Sequence, residues 1–158
     1  ARNLVAVGRH YPGVTLCGSD ISAEMLKTAA GNVRRSGLAI GLAAGDATTF
    51  DPRPAFGRDR FERVYFSYAL SMIPDWRAAL AHGLALTGDG GRLAVVDFGF
   101  CEGLGPLPRA ALHGWLRLFH VTPRAQLEDE MRRLASAAGR PLRFERPFGG
   151  YAMLGVIG

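Results

Sequence analysis

Two aspartates, Asp20 and Asp46, each close a short apolar run, in Gly18-Ser19-Asp20-Ile21-Ser22 and in Gly45-Asp46-Ala47-Thr48. A carboxylate at the tip of a buried strand is costly unless something polar answers it. In open α/β sheets that answer is a ligand beyond the carboxyl ends of the strands, where an acid after a strand accepts both hydroxyls of a ribose. Asp20 has this position. Asp46, ending the next apolar run, is placed to take the exocyclic amine of a base while the Ala47 amide reaches a ring nitrogen. The pair points to a nucleoside. Each acid also has a plainer use, Asp20 as a helix N-cap and Asp46 as a turn residue.

The surrounding pattern must build the strands that carry them. Leu4, Val5, Val7 and Tyr11 repeat as the end of a helix over residues 1 to 11, closed by Pro12-Gly13. Val14 to Gly18 reads as a buried strand. Ser22 caps a helix with Glu24 in its first turn and an apolar stripe of Met25, Leu26, Ala29 and Val33, stopped by Gly37. Leu38 to Ala43 is the second strand. Asp51 to Arg60, with Pro52, Pro54 and Gly57, is expected as an exposed loop and not a helix. Arg63 to Ser67 is a third strand, Trp76 to Leu86 a helix, and Thr87 to Gly91 a tight turn into the strongest strand, Leu93 to Phe98.

Further on, Leu112, Trp115, Leu116 and Phe119 share one helical face, with Arg109, His113 and Arg117 opposite. Such a stripe packs on a sheet or lies on an anionic membrane surface with Trp115 and Phe119 as anchors. Pro123 to Ala138 is expected as a helix with Pro123 in its first turn, Leu127, Met131 and Leu134 inward, and Gly139 as its cap. Leu142 to Arg146 and Tyr151 to Ile157 close the chain as antiparallel strands. The result is a Rossmann-like, doubly wound α/β fold, mostly parallel with an antiparallel C-terminal strand.

The 158 residues suffice for one domain, and 48% hydrophobic with 21% charged residues is a globular composition. No apolar run approaches the roughly 20 residues of a spanning helix. Cys17 and Cys101 stand alone, with no metal-ligand spacing, so neither a disulfide framework nor a metal site is expected and a reducing, cytoplasmic setting fits. The formal charge is +5 and almost wholly arginine, Lys27 being the only lysine, which favours planar contacts with phosphate or carboxylate.

Four blocks in order, "GSDISAEML", "AAGDATTF", "VYFSYALSMIPDW" and "GDGGRLAVVDFG", resemble the class I S-adenosylmethionine-dependent methyltransferases. The resemblance implies S-adenosylmethionine as cofactor. Asp20 would bind its ribose, Ile21 would pack on adenine, Gly45, Asp46 and Ala47 would form the turn that reads the adenine edge, and Ser67 and Tyr68 would border the methionine portion. It also implies a glycine-rich turn after a first strand, about 20 positions before the acidic residue. That places both before Ala1. The chain is therefore expected to be an N-terminally truncated methyltransferase domain, short of a central strand.

"SYALSMIPDW", "VVDFG", "WLRLFHVTPR" and "GGYAMLG" resemble, within that family, the bacterial lipid-amine N-methyltransferases that make betaine lipids or methylate phosphatidylethanolamine. The implied acceptor is a headgroup amine, at the inner face of the membrane. Tyr68, Asp97 and His120 are then the catalytic candidates for positioning or deprotonating the amine. Arg124 would clamp a homoserine carboxylate, and Tyr151 would line the acceptor site. Each has a duller use in packing, capping or dipole compensation. Two other classes compete: a methyltransferase acting on RNA or a small molecule, and a non-catalytic remnant of the fold. The RNA reading would use the basic charge, but no [DN]PP[YFW]-like acceptor loop is present.

Overall fold

The computed structural model describes residues 2–101, 103 and 122–158. The expected amphipathic helix at Arg109–His120 lies outside them, as does the catalytic candidate His120. The chain divides into two compact units, residues 1–59 and 60–158.

In the first unit, α1 (Arg2–His10) precedes β1 (Leu16–Asp20), α2 (Ala23–Ser36), β2 (Ile40–Ala44) and the single-turn α3 (Arg53–Phe56). β1 and β2 pair in parallel, Leu16 opposite Ile40 through Asp20 opposite Ala44. This register brings Asp20 and the start of the Gly45–Asp46 turn to one sheet end. Ser22 caps α2 by accepting from the Met25 amide, and Gly37 ends the helix in the left-handed region at φ 71°. The expected loop at Asp51–Arg60 is corrected here: α3 forms within it, because prolines at 52 and 54 preset helical φ and Gly57 closes the turn at φ 70°.

The second unit holds β3 (Phe61–Ser67), α4 (Trp76–Ala85), β4 (Thr87–Phe98), α5 (Leu127–Ala137), β5 (Leu142–Glu145) and β6 (Ala152–Ile157). Its sheet runs β3-β4-β6-β5, with β3 and β4 parallel and β6 antiparallel to both neighbours. Leu80, Leu93, Val95, Leu127, Met131 and Ile157 are fully buried and form its core. Each such side chain contributes roughly 1.5–3 kcal/mol by leaving water. Gly155 makes room for this packing: a Cβ there would lie 2.4 Å from the Met131 sulfur.

Two boundaries differ from the sequence reading. Thr87–Gly91 is not a turn ahead of the strand but part of β4. Phe61 pairs with Thr87 and Arg63 with Arg92, so the glycines are absorbed as an irregularity in the ladder. α5 begins at Leu127, four residues after Pro123, because Arg124 is drawn into a different set of contacts. Among the described residues β1 pairs only with β2 and β3 only with β4, so the six strands form two sheets.

Candidate functional site

The first unit gathers its candidate residues at the carboxyl end of β1 and β2. The Gly45 amide donates to the Asp20 carbonyl at 3.1 Å, extending the ladder to the foot of the turn. Asp20 Oδ1 accepts from the Ser22 amide at 2.9 Å, which fixes the carboxylate over the start of α2. Ser22, not Asp20, is the helix cap. Asp46 Oδ1 accepts from the Thr48 amide at 2.8 Å and the Thr48 hydroxyl at 2.7 Å. These bonds hold its carboxyl below the usual range, so it is ionised at neutral pH. In both residues Oδ2 makes no hydrogen bond to the described residues.

Ile21 follows Asp20 with 73% of its surface exposed, an apolar face beside the carboxylate. Gly45 has a packing reason of its own: a Cβ would come within 2.1 Å of the Phe50 ring. The backbone of Gly45, Asp46 and Ala47 is thereby held in a turn that the Thr49 and Phe50 amides close on the Asp46 carbonyl. Two carboxylates with one oxygen unspent, an exposed Ile21 and an adjoining turn suit an adenosine, whose ribose and base edge need acceptors and whose ring needs an apolar face.

In the second unit, Ser67 ends β3 and Tyr68 follows in the left-handed region at φ 52°, its amide donating to the Val96 carbonyl at 2.8 Å. For a bulky residue this conformation costs of order 1–3 kcal/mol, a strain typical of functional sites. Burial, then Tyr151 and Asp97, raise the Tyr68 pKa. It is a phenol at neutral pH, a hydrogen-bond donor and not a base. Asp97 is 1% exposed. Its Oδ2 accepts from the Ser71 amide at 3.0 Å and its Oδ1 from the Phe98 amide at 2.8 Å. The structure thus brings Tyr68, Asp97 and Tyr151 together.

Arg124 differs from a free carboxylate clamp. Its Nε donates to the Leu70 carbonyl at 3.0 Å, and Nη2 donates to the Ser71 and Ile73 carbonyls at 3.4 and 2.8 Å. The planar edge that would grip a headgroup carboxylate holds the loop after Tyr68 instead. Arg124→Lys should therefore lower the thermal midpoint by about 3–8 °C, from loss of roughly 1–2 kcal/mol of charge-assisted bonding. An unchanged melting curve with selectively lost turnover would restore the clamp. Sequence reasoning missed Leu70, Ser71 and Phe98. Ser71 and the carbonyls that meet Arg124 are separated from their partners by more than 25 residues, beyond any local pattern.

The strand order, the antiparallel β6 and the acids at the strand ends define an α/β, Rossmann-like methyltransferase fold. Residues 1–91 match the family model described as a methyltransferase domain, and the chain belongs to that family. Among solved structures it resembles an O-methyltransferase family protein from Burkholderia thailandensis, at 16% identity and a TM-score of 0.73, covering 98% of this chain and 46% of that one. An O-methyltransferase family 2 protein from Planctomyces limnophilus, in complex with apigenin, matches at 26% identity and a TM-score of 0.69, covering 97% and 45%. Magnesium protoporphyrin IX methyltransferase from Synechocystis, with bound SAH, matches at 16% identity and a TM-score of 0.65, covering 98% and 67%. The chain spans about half the length of the first of these structures. No curated protein matches it.

Proposed function

We propose that the chain acts as an S-adenosylmethionine-dependent methyltransferase. The observation that carries this reading is the placement of Asp20 and Asp46 on adjacent parallel strand ends, each with Oδ2 unspent, in a chain of the methyltransferase family. Asp20 accepts the ribose hydroxyls, Ile21 covers one face of the adenine, and Asp46 with the Ala47 amide reads its edge. By the family resemblance alone, Ser67 and Tyr68 of the second unit are assigned to the methionine portion. Neighbouring structures solved with SAH support the cofactor class.

S-adenosylmethionine supplies a methyl group made electrophilic by its sulfonium. The protein's part is alignment and exclusion of water. Arg124 and Asp97 brace the loop after Tyr68 from two sides, through its carbonyls and through the Ser71 amide. The phenol oxygen of Tyr68 orients the acceptor by accepting from its amine N–H, which leaves the nitrogen lone pair for the methyl group.

The acceptor we propose is the amine headgroup of a membrane lipid, diacylglycerylhomoserine or phosphatidylethanolamine, on the sequence resemblance of the 67–76, 95–99, 115–124 and 149–155 blocks. Tyr151 lines its path. Among the described residues no helix is long and apolar enough to cross a membrane, and the lipid reading proposes a peripheral contact at the membrane surface. The assay is transfer of labelled methyl from S-adenosylmethionine into total lipid, total RNA or a small-molecule extract. Label in a lipid headgroup is the expected result. Label only in RNA or the small-molecule fraction would move the acceptor assignment, and no label with S-adenosylmethionine bound would favour a non-catalytic remnant.

A further inference from the structure

Three aromatic rings meet at the carboxyl end of β4. Tyr68 and Phe98 have centroids 4.6 Å apart at 50°, and Phe98 and Tyr151 have centroids 6.0 Å apart at 87°. All three are half-buried, so each ring keeps surface for a ligand. The backbone holds the cluster from both sides, through the Tyr68 amide on Val96 and the Gly99 amide on the Tyr151 carbonyl at 2.8 Å.

Beside the rings is a buried negative charge. Asp97 accepts only backbone amides and forms no salt bridge among the described residues. Asp97 precedes Phe98 in β4, and after burial and Tyr151 it is the third group that raises the Tyr68 pKa. Next to it the Ser71 hydroxyl is buried without a hydrogen-bond partner among the described residues. A buried carboxylate with no cationic partner among the described residues favours a cationic ligand.

The backbone is strained here as well. Tyr68, Cys101 and Phe148 are the non-glycine residues with positive φ among those described, and they flank the ends of β3, β4 and β6 that carry the rings. Strain of this kind is retained where surrounding structure holds a site in shape.

We propose that Tyr68, Phe98 and Tyr151, with the buried carboxylate of Asp97 next to Phe98 in the chain, form a subsite for a methylated ammonium group. Aromatic faces attract a cation within about 6 Å, and a methylated nitrogen sheds water more cheaply than a bare ammonium. A neutral hydroxyl acceptor gains neither term. The subsite deepens the methyl-transfer reading, because it selects an alkylamine and holds it more tightly as methyl groups accumulate. As a binding site it stands without that reading.

The test is ligand-observed NMR on the full chain with choline and with its neutral isostere 3,3-dimethylbutan-1-ol, alongside calorimetry with SAH. Choline should bind about tenfold more tightly than the isostere. Phe98→Leu and Tyr151→Leu should weaken choline about fivefold or more, and Phe98→Tyr, which keeps a ring, should restore it. Equal binding of choline and isostere, no choline binding, or Leu variants that bind choline as well as the wild type would overturn the subsite. SAH bound with choline rejected removes the subsite and leaves methyl transfer standing. Choline bound with SAH rejected does the reverse.

Discussion

Asp20→Ala should weaken S-adenosylmethionine binding about a hundredfold, the equivalent of ~2.7 kcal/mol, while lowering the thermal midpoint by no more than about 4 °C. The split follows from the two oxygens of the carboxylate. Oδ1 is tied to the Ser22 amide and contributes one local hydrogen bond to the fold. Oδ2 contributes nothing to the described fold and is the atom proposed for the ribose. A charge-assisted bond to each ribose hydroxyl is worth roughly 1.5–3 kcal/mol, so removing the acceptor costs affinity far more than stability. Asp20→Asn keeps the Oδ1 contact and loses the charge, and should fall between wild type and Ala. Calorimetry with S-adenosylmethionine checks both variants. Affinity within threefold of wild type in Asp20→Ala would remove the ribose assignment and with it the adenosine reading of this sheet end.

The local signals in this chain were readable where a single residue type has one economical use. Ser22 and Gly37 bound α2 because a hydroxyl cap and a left-handed glycine are what helix ends require. Asp20 and Asp46 stood out because a strand-tip carboxylate needs a partner. Strand ends drifted by a residue or two: β1 runs to Asp20 and not Gly18, and β2 starts at Ile40 and not Leu38, since pairing register sets the limits and no local residue announces it. The glycines at 88–91 looked like a turn for the same reason. Only the partner strand shows that they are an irregularity within β4.

The second unit's site was less readable. Tyr68, Asp97 and Tyr151 were named singly, but their meeting depends on β6 returning antiparallel beside β4, with Asp97 opposite Met153 and Phe98 opposite Ala152. Phe98 read as the end of an apolar strand and gave no sign of its contacts with the Tyr68 and Tyr151 rings. Arg124 looked available because charge and position suit a clamp, whereas its use is set by three carbonyls far away in the sequence. Long-range satisfaction of backbone groups leaves no periodic trace.

Asp97→Ala is expected to be the most damaging substitution to the second unit. The side chain is 1% exposed and answers two backbone donors, the Ser71 and Phe98 amides. Truncation removes the carboxylate that both amides meet and opens a cavity beside the Ser71 hydroxyl, which has no hydrogen-bond partner among the described residues. At roughly 1–3 kcal/mol for each orphaned donor, the loss is about 3–5 kcal/mol, or about 10 °C in the midpoint of a chain this size. Asp97→Asn separates shape from charge. Its carbonyl oxygen still satisfies one amide, but its NH2 faces the other donor, so about half the loss should remain. Because the Asn side chain fills the same volume, any further fall in choline binding reports the missing negative charge. Thermal unfolding followed by circular dichroism measures the first effect. A midpoint within 2 °C of wild type for Asp97→Ala would mean that the loop after Tyr68 is held by Arg124 alone, and that the buried carboxylate serves the ligand and not the fold.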